Sequence, residues 1–394
     1  MTDLISAQLR RSMGALGAFA DWAMDPELFE GLARPSVCDF VFGNPHDLAS
    51  DEYVDAIVRA AKPTGPRHYA YTQNDPAATE AIASGLRDRF AMPFEADDVY
   101  LTNGNFTGLS LLLRALTDPG DEVVFVSPPW FFYESLIVGA QCTPVRVFAD
   151  RTTFDLDLDA IAAALTPKTR AIIVNSPNNP SGRIYPPSTV EGLARILTDA
   201  SGRNGRPIWM LSDEAYNRIV FDDRAFQTPT AAYPHSFLVY TYAKTQLAPG
   251  SRLGYVAVPP TMPEREELRS PLLVAQITTG WGFPISVLQF AIPDLEKIAY
   301  DLSALQRRRD VLVTSLREQG YDLLDPEGTF YILVRSPLED DVAFCKLLNA
   351  QDVYVLPGAM FESPGWFRIS ITASDDMVER GIPGFARAIE EARG

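Results

Sequence analysis

The chain has 394 residues, of which 46% are hydrophobic and 22% charged, and its 34 basic side chains face 51 acidic ones for a net charge of −17. That length is more than one core fills, since single cores stop growing near about 250 to 300 residues, so a large unit and a smaller one are expected. A surplus of negative charge with no basic patch repels polyanions and excludes a nucleic-acid partner, and the composition excludes a disordered or fibrous chain.

At the N-terminus Arg10 and Arg11 are followed by Asp21, Trp22, Asp25, Pro26 and Glu27. No uninterrupted apolar run forms, so no leader and no membrane span are expected and the chain reads as cytoplasmic. Cys38, Cys142 and Cys345 are odd in number and widely spaced, which fits reduced core thiols and neither a disulfide framework nor a metal site.

From Val99 onward, short runs rich in Val, Ile, Leu and aromatics alternate with helical stretches. Strands are predicted at Val99–Thr102, Glu122–Val126, Ala171–Asn175, Ile208–Ser212, Phe237–Thr241 and Leu253–Val258; their lack of polar alternation marks strands buried on both faces. Apolar residues at helical spacing in Phe106–Leu116, Leu158–Leu165 and Thr189–Leu197 suit crossover helices between them. The fold class is therefore α/β, a mainly parallel sheet between helices.

Beyond Pro284, one long helix is predicted over Ile285–Leu316, with Arg307, Arg308 and Arg309 on a solvated face. A strand at Phe330–Val334, a helix near Val342–Leu348, a strand at Trp366–Ile371 and a closing helix complete a smaller α+β lobe.

Several short motifs fall at the ends of these strands. Thr102–Gly108 (TNGNFTG) is a strand, a glycine and a helix start, which exposes backbone N–H groups to an anion. Its spacing is not G-x-G-x-x-G, so dinucleotide chemistry is disfavoured. Asp213–Tyr216 (DEAY) closes a buried strand at the edge where ligands gather in open α/β sheets. Tyr240–Gly254 (YTYAKTQLAPGSRLG) puts Lys244 just past another strand end, with Arg252 eight residues on. Ser176–Gly182 (SPNNPSG), Ser127–Glu134 (SPPWFFYE), Trp366–Ser370 (WFRIS) and FGNP, which contains Gly43 and Pro45, complete the set.

Taken in this order, the motifs resemble those of the class I/II aminotransferases, the fold-type-I pyridoxal 5'-phosphate (PLP) enzymes, over residues 40–372. The resemblance implies that Lys244 carries PLP as an aldimine, that Asp213 pairs with the pyridine nitrogen, and that Tyr216 and Asn179 hydrogen-bond the phenolic oxygen. It implies a phosphate cup of Gly104, Asn105, Phe106, Thr241 and Arg252, with Trp130 stacked on the cofactor ring. Thr241 departs from the family's Ser or Gly but keeps a hydroxyl. Arg368 would take the substrate α-carboxylate in a bidentate pair, with Gly43 and Asn179 beside it. Tyr69 would reach the phosphate of a neighbouring subunit, giving a homodimer with shared sites; Asn74 stands where the family has glycine in that stretch, and Tyr71 is the alternative tyrosine.

Residues 1–45 would then join the small domain, 46–284 form the large domain and 285–394 the rest of the small one. The implied activity moves the α-amino group of an L-amino acid to a 2-oxo acid by a ping-pong route, with no metal, nucleic acid or membrane partner. A β-lyase, synthase or oxidase on the same cofactor site is the alternative, because the cup alone does not choose the outcome. Trp22, Phe42, Trp281 and Phe283 are candidates for the substrate side chain, favouring an apolar donor.

Overall fold

The computed structural model describes residues 4–394. In chain order its strands are β1 (Cys38–Asp39), β2 (Val99–Thr102), β3 (Glu122–Ser127), β4 (Thr143–Phe148), β5 (Thr169–Asn175), β6 (Trp209–Asp213), β7 (Ser236–Thr241), β8 (Gly254–Ala257), β9 (Tyr331–Arg335), β10 (Val353–Tyr354), β11 (Leu356–Pro357) and β12 (Trp366–Ser370). β2 to β8 form one seven-stranded sheet in the order β2-β8-β7-β6-β5-β3-β4, with β8 antiparallel to both neighbours and the remaining pairs parallel. The expected α/β architecture with a mainly parallel sheet is thus present.

Why these segments are strands follows from burial. Every residue of β2, β6, β7 and β8 is buried, as strands of a mainly parallel sheet covered by helices on both faces require. β4 lies outside the expected set. It is the edge strand, with only Val147 buried, and is interrupted by Pro144 and Arg146, so it lacks the apolar run that marks its neighbours.

The register lines up one end of the sheet. Asn175 pairs with Asp213, Asp213 with Val239, and Thr241 and Thr102 both with Gly254. Consequently the carboxyl ends of β2, β5, β6 and β7 open together on one edge.

A second, three-stranded antiparallel sheet has the order β11-β12-β9, and β1 pairs parallel with β10, tying the N-terminal segment to the C-terminal part. The single helix expected over Ile285–Leu316 is two helices, Ser286–Leu295 and Ser303–Glu318. Between them Glu296 and Tyr300 turn to meet Arg218, and Asp301 accepts from the Ser303 N–H at 2.8 Å to restart the helix. The first of these helices, which the sequence reading puts at the head of the small domain, packs Ala291, Ile292 and Leu295 into one cluster with Tyr53, Ile82, Leu101 and Tyr255 of the large unit.

The solvated face expected for Arg307–Arg309 holds only for Arg307. Arg308 and Arg309 are buried, Arg308 paired with Asp47 and Asp375, Arg309 with Asp222 and Asp310. A run of like charge on a helix is tolerated inside because each guanidinium meets a carboxylate. All three cysteines are buried and free. Among the described residues no helix is long and apolar enough to cross a membrane.

Candidate active site

At the open edge of the large sheet lies a cavity of about 290 Å³. Of the residues singled out in the sequence, Gly43, Asn105, Phe106, Trp130, Asn179, Asp213, Tyr216, Thr241, Lys244, Arg252 and Arg368 line it. They come from both sheets: Asp213 ends β6, Thr241 ends β7, and Arg368 sits in β12.

Asp213 forms the floor. Tyr133 donates to its Oδ2 at 2.5 Å, Asn105 Nδ2 donates to Oδ1, and the Ala215 N–H reaches Oδ1 at 3.3 Å. Burial pushes this carboxyl up, against the pull of those donors and of the Lys244 charge. A buried carboxylate held in place and aimed at a cavity is a receptor for a cationic or N–H donor group.

Lys244 lies in the short helix Tyr242–Thr245, which Thr241 caps by accepting from the Ala243 N–H at 3.2 Å while its hydroxyl donates to Leu253 O at 2.9 Å. The Lys244 amine stands 5.8 Å from the Tyr216 ring centroid and 5.5 Å from that of Phe330, with no carboxylate paired to it among the described residues. Tyr216 and Tyr331 face each other here. Burial pushes Tyr216 well above its usual value; burial would do the same to Tyr331, but Arg368, Lys244 and the hydrogen bond from Tyr216 bring it below.

Opposite Lys244, Arg368 Nη1 donates to Asn179 Oδ1 at 2.8 Å and Nη2 to Val41 O at 3.0 Å, and the guanidinium lies 3.9 Å from the Tyr331 ring centroid. Its Nε has no partner, and no carboxylate pairs with it among the described residues. Burial pushes this guanidinium below its usual value. A buried cation without a counter-ion is unfavourable until an anion arrives. Asn179 is itself placed by Asn175, whose Oδ1 accepts from the Asn179 N–H at 2.8 Å and whose Nδ2 donates to Asp213 O at 2.9 Å.

The remaining wall receives anions. The helix Asn105–Leu116 starts at Gly104 with no side-chain cap, so its first amides are free to face a ligand. Gly104 has φ +88°, and a Cβ there would lie 2.8 Å from Arg252 Nη2, so the residue sits behind Arg252 rather than on the cavity surface. Gly254 touches the same loop: a Cβ would stand 2.4 Å from Tyr240 O and 3.0 Å from Gly104 Cα. Only glycines let helix start, strand and guanidinium approach this closely.

Tyr69 and Tyr71 are not in this cavity; they are 61% and 89% exposed, on an outer face where Tyr71 packs 5.2 Å from Phe283. Asn74, where the resemblance has glycine, accepts from the Leu101 N–H at 2.8 Å and donates to Gln276 at 3.0 Å, anchoring this segment to β2. Tyr133, Asn175 and Tyr331 line the cavity without having been singled out. Tyr133 lies three residues after Trp130 and Asn175 immediately precedes SPNNPSG, so both signals were adjacent to motifs; Tyr331 opens β9 with no motif of its own.

The donor set fits a flat, charged aromatic phosphate. Asp213 suits a pyridinium nitrogen, the uncapped amides and Arg252 suit phosphate, Trp130 offers a ring face, and Asn105 Oδ1 is a buried acceptor still without a partner.

Comparison with known proteins adds the following. A family model described as aminotransferase class I and II matches residues 36–384. The chain is 29% identical over 360 residues to an aspartate/prephenate aminotransferase of Thermus thermophilus, covering 89% of this chain and 90% of that protein. It is 30% identical to a probable aspartate/prephenate aminotransferase of Aquifex aeolicus, covering 90% and 91%. Among solved structures, an amino transferase of Eubacterium rectale superposes with a TM-score of 0.91 at 30% identity over 100% of both chains. The aspartate aminotransferase of Thermus thermophilus with maleate superposes at 0.81 and 26% identity, over 98% of this chain and 100% of that one.

Proposed function

This chain belongs to the class I and II aminotransferases, and from that premise we propose that it moves the α-amino group of an L-amino acid to a 2-oxo acid with PLP held at Lys244. The observation that carries the reading is the convergence of an unpaired amine, a buried carboxylate and a buried guanidinium without counter-ion on one cavity. Relatives named as aminotransferases favour transfer over the lyase, synthase and oxidase alternatives.

PLP, when bound, supplies a carbonyl that condenses with amines and a ring that draws electrons from the substrate's α-carbon. Asp213 would hold a proton-bearing ring nitrogen, and Tyr133 and Asn105 hold Asp213. Arg252 and the amides at Gly104, Asn105 and Phe106 would hold the phosphate, joined by Thr241 if its hydroxyl turns from Leu253 O; Trp130 would offer a face to the ring, and Tyr216 and Asn179 would reach the phenolic oxygen. Arg368, with Gly43 and Asn179 beside it, grips the α-carboxylate and so fixes which face of the α-carbon Lys244 meets. Lys244 Nζ, without a carboxylate partner in this cavity, would take the substrate's α-proton and hold it for return. The two half-reactions run in turn, which gives ping-pong kinetics.

The assembly we propose is a homodimer in which Tyr69 reaches the partner's phosphate. Exposed Tyr71, Trp281, Phe283 and Ile285 supply an apolar face for the second copy. The three buried free thiols suit the reducing cytoplasm, where we place the enzyme.

The test is titration of the purified protein with PLP, reduction with borohydride and peptide mapping by mass spectrometry. The label is expected at Lys244, and Lys244→Ala is expected to lose both the label and the visible absorbance; labelling elsewhere would refute the assignment.

A further inference from the structure

We infer that the amino acid exchanged here carries a large apolar side chain, read by an aromatic wall that the N-terminal helix completes. This deepens the aminotransferase reading and rests on it.

The carboxylate clamp fixes where the substrate side chain must lie. Arg368 is held by the carbonyl of Val41, and the next residue, Phe42, lines the cavity together with Phe131. Both rings are backed from outside. The helix Ala7–Ala23, broken at Gly17, brings Phe19 onto Phe131 with ring centroids 3.9 Å apart and planes 15° from parallel, and Trp22 to 5.9 Å from Phe42. Phe19 is only 9% exposed, so the wall is closed rather than a surface scatter of rings. This helix precedes residue 36, where the match to the family begins.

The charges of the cavity are already engaged. Its lining cations are Lys244, Arg252 and Arg368, and each has a part in the exchange itself. Behind the wall, Arg146 is the next cation, in an adjoining cavity it shares with Phe19 and Phe131, and it is neutralised by Glu134 and by Glu362 at 2.6 Å. A second substrate carboxylate, such as that of aspartate, would be stripped of water against rings and find no uncommitted cation among this chain's residues that line the two cavities. An aliphatic or aromatic side chain in the same place loses only unfavourable contact with water.

The experiment uses holoenzyme and two unreactive carboxylates, 3-phenylpropionate and succinate, with affinities measured by calorimetry. We expect 3-phenylpropionate to bind about tenfold or more tightly, in the range a shaped apolar pocket provides. Phe131→Ala is expected to erase most of that preference. Trp22→Ala, in a half-exposed position that leaves the fold less burdened, should reduce it with the cofactor's absorbance intact. In single-turnover half-reactions L-phenylalanine or L-leucine should outpace L-aspartate. Succinate binding as tightly, or L-aspartate reacting faster, would overturn the inference. Cofactor labelling at Lys244 is checked first and separately, so a protein that passes that check yet prefers aspartate refutes this inference alone.

Discussion

Two buried arginines divide the molecule into what holds itself together and what waits for a ligand. Arg218 donates to Glu296 at 2.7 Å, shares that carboxylate with Arg89 at 3.0 Å, and lies 4.5 Å from the Tyr240 ring centroid. Burial would push Glu296 up, but Arg218 and Arg89 hold it below the usual carboxylate range. Arg368 is as deeply buried and as well placed, by Asn179 and Val41, yet the chain gives it no counter-charge. The Arg218 pair carries both charges within the chain, whereas Arg368, on the function proposed above, would meet its counter-charge in the substrate carboxylate.

The largest effect that would sharpen this contrast lies between them, at the amine. Lys244→Ala should cut turnover by about 10³-fold or more with little change in melting temperature, because a proton carrier is lost and no packing is. Next, Arg218→Met should destabilise, read by denaturant unfolding, but by less than the ~3–5 kcal/mol of a wholly unpaired buried charge, because Arg89 and Tyr242 still hold Glu296. Arg368→Met should do the opposite: unchanged or higher stability, with kcat/KM down about 100-fold as the carboxylate clamp is lost. If both methionine variants unfolded alike, the division would fail.

A smaller effect concerns Glu214, buried next to Asp213 but turned away from the cavity toward Ser212, Asn217 and Thr228. Burial pushes its carboxyl up to about 7 from a usual 4.5, against those donors. The folded state therefore favours the protonated form. The stability this adds is complete below pH 4.5 and is lost as pH rises through 7, on the order of 3 kcal/mol across that window. Glu214→Gln should flatten that part of the stability-against-pH curve. Smallest of all, Tyr69→Phe should weaken PLP binding by about tenfold, the worth of one hydrogen bond to a charged group, and only in the dimer.

Much of this was legible in the sequence because the site hangs from buried strands. β2, β5, β6 and β7 end at the expected residues to within one position, and the side chains on those ends, Asp213 and Thr241 among them, follow from register alone. What was not legible depended on partners distant in sequence. Nothing near Glu296 shows that Arg218 will bend the chain there and split the helix after Ile285. Arg308 and Arg309 read as solvated until Asp47, Asp375 and Asp222 fold against them. Tyr331 looks like any core tyrosine until Tyr216, Arg368 and Lys244 surround it. Trp281 and Phe283, expected near the substrate, are exposed on the outer face with Tyr71, while Phe42 lines the cavity and Trp22 packs behind it without lining it.

The helix Ala7–Ala23 stands apart from all of these, since it backs Phe131 and Phe42 while none of its described residues lines the cavity around Lys244. On the inference drawn above, the choice of substrate would be shared between Phe42 and Phe131, inside the family-matched stretch, and the helix that backs them from outside it. On that inference, substitutions at Phe19 or Trp22 would shift which amino acid is accepted only by moving Phe131 or Phe42, leaving the residues around Lys244 in place.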